Sequence, residues 1–429
     1  MRNTRKPWLT LVAGIAGTAL LTACGGGGAG TSGEDGKTTL TIATFNEFGY
    51  EELLKEYEAS HPDIKIEHRK AATTNEARDN MNTRIAAGGS GLADIEAIEV
   101  DWLPELMQYP DNFADLSDPE VEGRWLDWKA EQATTEDGKL IGYGTDIGPQ
   151  GICYRADLFE AAGLPTDRAE VAEFLGDSWE SYFAAGEKFT AASDAAWYDS
   201  AGAIYQGMIN QVEAAYEKPD GTPIPLDQNA EAEKVYETVL NASVDRGLSA
   251  GLTQWSEDWT NAFQNDGFAT MLCPGWMLGV IEGNAAGVQG WDIADTFPGG
   301  GGNWGGSFLT VPAAGKNVEA AQDLAAWLTA PEQQLKAFEA QGTFPSQVEA
   351  LASDELLSQK DAFFNDAPTG QILANRADAV EVTPFKGPNY FAIHETVADA
   401  ITRVDTDKTD DAAGSWAKAV QAYGELGLD

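Results

Sequence analysis

The sequence predicts an α/β fold built on two hydrophobic cores, and three observations bear on it. The chain has 429 residues with 43% hydrophobic and 10% aromatic content, too long for one hydrophobic core and apolar enough for two. Short apolar strand patterns alternate with helical patterns from Thr38 onward, which is the texture of sheets covered by helices. Glycine-rich passages at 138–165 and 297–312 break that alternation between apolar strands, the first as a hinge candidate and the second as either a hinge or a mobile surface loop. Lys and Arg total 27 against 69 Asp and Glu, a net charge of −42. The surface therefore repels phosphate backbones, and nucleic-acid binding is excluded. With 3 His and 3 Cys, neither a metal cluster nor a cofactor site is expected.

Taken in chain order, the first segment is an address. Arg2, Arg5 and Lys6 precede an uncharged run from Trp8 to Ala23, the layout of a signal peptide over 1–23. The run is too short for a comfortable span of about 20 apolar residues. Leu21, Thr22, Ala23 and Cys24 resemble a bacterial lipobox, which predicts lipidation at Cys24 and a membrane association through that anchor alone. Residues 24–39 read as a flexible Gly-rich linker. Within it, Gly36, Lys37 and Thr38 imitate a phosphate-binding loop, but Thr31 stands where that motif needs Gly.

The next elements follow from periodicity. Leu40, Ile42 and Ala43 form a first strand, and Tyr50 to Ser60 a helix with Leu53, Leu54 and Tyr57 on one face. Ile64 and Ile66 alternate with charges in a second strand, Asn75 to Ala87 is a helix closed by Gly88 and Gly89, and Leu92 to Val100 is a third strand. Strands so spaced point to parallel sheets. Leu140 to Tyr143 and Ile152 to Tyr154 are strand-like around Gly148, Pro149 and Gly151, a hinge candidate.

Four stretches then carry a resemblance. They are Leu40–Ile66 with "YEELLKEYEASHPDIKIE", the passage "GKLIGYGTDIGPQGICYRADLFEAAGLP", the strand "FQNDGFATMLCPGWM", and 303–335. Together they resemble the carbohydrate-binding family of extracellular solute-binding proteins of bacterial ABC importers, the family of maltose-binding protein. The resemblance implies a two-lobed periplasmic-binding-protein-like fold of type II, with a sugar held in the cleft and a hinge motion that closes it. Lobe 1 is placed at 40–148 plus 309–343 and lobe 2 at 149–308 plus 344–429. It further implies a monomeric lipoprotein on the outer face of the cytoplasmic membrane. An oligosaccharide ligand, ABC permease membrane subunits and a separate ATPase are its implied partners. "GGGGNWGGSFLTVP" and "PFKGPNYFAIHETV" look most like receptors for β-linked oligosaccharides such as cellobiose.

A pyranose has hydroxyls around its rim and C–H patches on its faces, so its receptor needs flat aromatic platforms with carboxylates and amides around them. Trp125, Trp128, Trp327 and Trp416 fall in helical stretches and read as core. Trp276 follows Pro274 and Gly275 at a strand end, and Trp304 lies among glycines. Trp197 follows strand-like Phe189–Ala192 in a loop, and Tyr390 follows Gly387 and Pro388 ahead of a helix. These four are the expected stacking residues. Asn46 and Glu47 after the first strand, Asp101 after the third and Asp146 before the crossover are the expected polar contacts, since carboxyl ends of parallel strands face the interlobe crevice. The competing readings are a secreted glycoside hydrolase, needing two carboxylates about 5–10 Å apart, and a structural or adhesive lipoprotein. No nucleophile elbow or metalloprotease spacing of His61, His68 and His394 supports catalysis, so no catalytic residue is assigned. Cys153 and Cys273 are either two buried thiols or a disulfide.

Overall fold

The computed structural model describes residues 36–428, so the signal peptide and Cys24 lie outside the described residues. Among the described residues nine strands form two sheets. They are β1 (Thr38–Phe45), β2 (Ile64–Ala71), β3 (Ile95–Glu99), β4 (Gly142–Gly144), β5 (Gln150–Arg155), β6 (Ala196–Tyr198), β7 (Phe268–Pro274), β8 (Trp291–Ala294) and β9 (Ser307–Thr310). The first sheet has the order β2-β1-β3-β9-β4 and the second β6-β7-β5-β8. β1 begins inside the stretch read as linker, because Thr38 donates to the Asp63 carbonyl at 2.9 Å.

The parallel sheets expected from the alternation are only partly present. β1 is parallel to β2 and β3, but β9 is antiparallel to both β3 and β4, and β5 is antiparallel to both β7 and β8. The cause is the hinge. β5 and β9 are the two strands that enter a lobe directly from a crossover, so they run away from the cleft while their neighbours run toward it. Ser307 and Phe308 thus pair within the first sheet, which moves the expected lobe boundary at 308/309 forward.

Each lobe has its own apolar interior. In lobe 1, Leu40, Ile42, Ile95, Phe308 and Leu324 are buried together. In lobe 2 the alternation of β5 sends Ile152 and Tyr154 to one side of the sheet and Cys153 to the other, and each side has a core of its own. Cys153 and Cys273 form a disulfide between β5 and β7, with Cα atoms 5.4 Å apart. The strand expected at Phe189–Ala192 is instead the end of a helix, Trp179–Thr190. Ser178 and Ser181 close a capping box at its start, and Tyr182, Phe183, Gly186 and Phe189 bury one helical face.

Three segments cross between the lobes side by side. Ile147 donates to the Phe344 carbonyl at 2.9 Å, Trp304 to the Gly148 carbonyl at 2.8 Å, and Gln150 to the Gly302 carbonyl at 3.1 Å. Gly148 has to be glycine, because a Cβ there would overlap the Trp304 carbonyl oxygen. Among the described residues no helix is long and apolar enough to cross a membrane.

Candidate functional site

The strands that run toward the hinge deliver their following residues to one place. Asn46 follows β1, Asn75 lies just beyond β2, Asp101 follows β3, Asp146 follows β4 and Trp276 follows β7. All five line a cavity of about 380 Å³ between the lobes, within the size range of small-molecule sites. Six of the eight expected contact residues line it: Asn46, Glu47, Asp101, Asp146, Trp276 and Trp304. Asn46 makes its turn with φ 46°, a left-handed conformation that Asn tolerates better than most residues.

The aromatic part is a continuous set of rings. Trp276 meets Trp304 edge to face, with centroids 5.5 Å apart and planes at 87°. Its indole Nε1 donates to the Trp304 carbonyl at 2.9 Å, which ties the end of β7 to the return crossover. On its other side Trp255 lies 6.2 Å away with the planes at 28°.

The carboxylates are held by partners, and their charges are largely met. Glu47 pairs with Lys70 at 2.5 Å. Asp101 forms an ion pair with Lys386, 285 residues away, and this bond joins the polar wall of lobe 1 to the segment before the helix Tyr390–Asp405. Asp146 accepts from the Thr145 hydroxyl at 2.6 Å and the Ser307 amide at 2.9 Å. Burial raises its pKa, and the ammonium of buried Lys129 opposes that shift. Burial in turn pushes Lys129 down to about 8. Burial first, and the neighbouring Asp101 charge second, hold the Glu99 carboxyl well above the usual carboxylate range. A neutral Glu99 has an O–H to donate, where an ionised one accepts only.

Two expected contacts do not reach the cavity. Trp197 is fully buried, stacked on Phe159 at 5.6 Å and packed against Tyr182 and Phe189. It lies on β6, not in a loop, so its ring enters the core under the helix Trp179–Thr190. Tyr390 is also fully buried. Its ring lies parallel to that of His394, 5.9 Å away, and packs on Tyr216. The helix that begins at Tyr390 buries positions 390, 393, 397 and 401, so Phe391, His394 and Glu395 are the ones that line the cavity. The three-and-four spacing of those buried positions could have assigned this face from the sequence. His394 is hydrogen bonded to the Tyr216 hydroxyl at 3.1 Å, and burial lowers its pKa from 6.5 to about 4. Trp255 was missed too. Its signal is a large aromatic in the polar run Thr253 to Asp258, with Leu252 three residues before it and Trp259 four residues after it.

The arrangement offers flat apolar rings beside donors and acceptors that are already oriented. It suits a ligand with apolar faces and a hydroxylated rim.

Comparison with known proteins is consistent with this geometry. Residues 52–365 match the family model of the bacterial extracellular solute-binding proteins. A crystal structure of an extracellular solute-binding protein, family 1, is 49% identical and superposes with a TM-score of 0.79, covering 91% of this chain and 100% of that one. The arabinooligosaccharide-binding protein of Bacillus subtilis (strain 168) is 26% identical, over 92% of this chain and 93% of that protein. An ABC transporter associated binding protein from B. animalis subsp. lactis Bl-04, solved with β-1,6-galactobiose, is 20% identical with a TM-score of 0.77, covering 91% of this chain and 98% of that one. These superpositions identify the fold as the two-lobed periplasmic-binding arrangement of type II.

Proposed function

The chain belongs to the bacterial extracellular solute-binding proteins, and from that premise we propose that it captures a neutral oligosaccharide between its lobes and passes it to the membrane subunits of an ABC importer. One observation carries the reading. Trp255, Trp276 and Trp304 share a cavity at the hinge with Asn46, Glu99 and Asp146, which pairs stacking area with rim hydrogen bonding as a sugar requires. The named ligands of the similar proteins, an arabinooligosaccharide and a galactobiose, support the substrate class. A β-linked disaccharide of the cellobiose type stands first and arabinobiose second. The three hydrogen-bonded crossovers provide the hinge about which the lobes close over the sugar.

The test is a thermal-shift screen with cellobiose, xylobiose, maltose and arabinobiose, followed by recovery of the sugar. At 100 times Kd, binding adds roughly 2.7 kcal/mol of stability. A shift with the sugar recovered unchanged supports capture. A hydrolysed sugar would replace capture with catalysis, and no shift with any of the four would remove the oligosaccharide reading.

In this proposal Cys24, lipidated on its thiol and left at the start of the mature chain by removal of residues 1–23, anchors the protein to the outer face of the membrane, and two or more acyl chains give lasting attachment where one gives only marginal binding. Cys24→Ser should abolish incorporation of radiolabelled fatty acid. Label on that variant would place the anchor elsewhere.

A further inference from the structure

Resting on the lobe closure of the capture reading, though not on which sugar is captured, we propose that Arg78 of lobe 1 and Phe391 of lobe 2 form a latch across the cleft. The latch holds the lobes together by a contact of protein with protein, and so scales the affinity for every ligand by one factor. The first ground is where Phe391 goes. The helix Tyr390–Asp405 buries positions 390, 393, 397 and 401 in the lobe 2 core, yet Phe391 packs against the core cluster of lobe 1. One residue of a lobe 2 helix is therefore seated on the other lobe. The Arg78 guanidinium lies over its ring, 4.5 Å from the centroid, a cation–π distance. One turn further along the same helix, Glu395 accepts from the Asn75 side-chain amide at 3.3 Å. Asn75 and Arg78 both belong to the helix Thr74–Ala86, so one helix of each lobe supplies the contact.

The second ground is preparation on the lobe 1 side. Arg78 Nε donates to Glu105 at 2.8 Å, and Nη2 lies 2.8 Å from the same carboxylate. The other oxygen of Glu105 accepts from Asn82 at 3.1 Å. The guanidinium is thus fixed on its own lobe before Phe391 meets it, which spares most of the ordering cost of the contact. The third ground is distance from the hinge. The helix Thr74–Ala86 follows β2, the edge strand of the order β2-β1-β3-β9-β4, while crossovers attach to β9 and β4 at the opposite edge. Three to four strand spacings of about 4.8 Å put β2 roughly 14–19 Å from those strands. A contact that far from the hinge does not survive opening, so its free energy favours the closed form alone. A ligand that needs the closed form then gains affinity in proportion to the fraction closed.

Position also separates a latch from a sugar contact, because Phe391 lines the cavity and Arg78 does not. The test applies small-angle X-ray scattering without sugar, and calorimetry with cellobiose, xylobiose, maltose and arabinobiose, to wild type, Arg78→Ala, Phe391→Ala and the double variant. Without sugar each single variant should have a larger radius of gyration than wild type, and the double variant one no larger than the singles. For every sugar that wild type binds, Arg78→Ala should raise Kd by the same factor, about threefold to fivefold, the worth of one partly exposed cation–π contact. In the Phe391→Ala background the same substitution should cost less than about twofold, since the pair acts as a unit. Should Arg78→Ala fail to fold, Phe391→Leu, which keeps the apolar volume and loses the ring, replaces it and should show the same larger radius. Equal radii in wild type and variants, factors that differ among sugars, or additive losses would overturn the latch while leaving capture standing. If none of the four sugars binds, the oligosaccharide reading falls and the radii alone decide the latch.

Discussion

The lobe 1 side of the cavity is mainly polar, with Asn46, Glu47, Asn75, Glu99, Asp101 and Asp146 beside Phe45 and Phe48, whereas the lobe 2 side presents Trp255, Trp276, Phe391 and His394 among Gln206, Gln254 and Glu395, with Trp304 on the crossover between them. The polar wall sits on the ends of a mainly parallel set of strands, where short side chains emerge side by side at the crevice. The aromatic wall comes from a strand end, a strained loop and one helix face, each presenting a large ring. Hydrogen bonds are directional, so a group misplaced against Glu99 or Asp146 leaves a buried polar atom unpaired. Stacking depends on area and tolerates change in the hydroxyl pattern. The polar side should therefore decide which sugar binds, and the aromatic side how tightly.

The largest expected effect tests where the aromatic wall ends. Trp197→Ala should lower stability by about 3–5 kcal/mol in urea unfolding, the cost of emptying a core aromatic site, with Kd of the folded protein unchanged. A weakened Kd at intact stability would put Trp197 on the wall after all. Next, Trp276→Ala should cost about 2 kcal/mol of binding, roughly 30-fold in Kd, across all sugars that bind. A loss confined to one sugar would show that the aromatic side also selects.

His394 offers a test by pH. Burial lowers its pKa from 6.5 to about 4, so between those values the unfolded chain holds a proton that the folded chain does not. Stability is complete above the unfolded value and falls as pH drops toward the folded one. Because one edge of the ring borders the cavity, about 2 kcal/mol is expected rather than the full buried figure. His394→Gln should flatten the loss between neutral pH and pH 4.5 in paired thermal melts, and an unchanged slope would assign it to other groups. The smallest effect on binding concerns the bond between the walls. Lys386→Met removes the cation from Asp101, whose side chain is 12% exposed. The carboxylate left unpaired and mostly buried lowers stability by roughly 3–5 kcal/mol, while the affinity of the folded protein should fall only modestly and by an amount that differs among sugars. A uniform loss would mean that the pair merely holds the walls together.

Two tryptophans show what was legible. Trp276 and Trp197 both lie at or near strand ends in lobe 2, and residue type and spacing treat them alike. Gly186 separates them: on the helix above β6 it leaves the space that the Trp197 ring occupies, and a Cβ there would overlap that ring. Position 186 is far from 197 in sequence, so no local pattern records the pairing. Tyr390 failed for a nearer reason. The sequence places it ahead of a helix, but the helix begins at Tyr390 itself and its buried face turns the ring inward.

What the sequence by itself determined is local or periodic. The amphipathic face of Glu51–Ser60, the helix Thr74–Ala86 that ends ahead of Gly88 and Gly89, the glycines that let the crossovers approach, and the Pro-Gly-Trp that ends β7 all follow from neighbours within a few residues. Only the tertiary structure decided the rest. The direction of β5 and β9 depends on which crossover feeds them, the Asp101–Lys386 pair closes across 285 residues, and Gln254 and Trp259 on either side of Trp255 both donate to the Asp199 carboxylate from a distant segment. In each case the deciding contact lies between segments far apart in the chain, brought together by burial of the lobe cores and the hydrogen-bonded hinge.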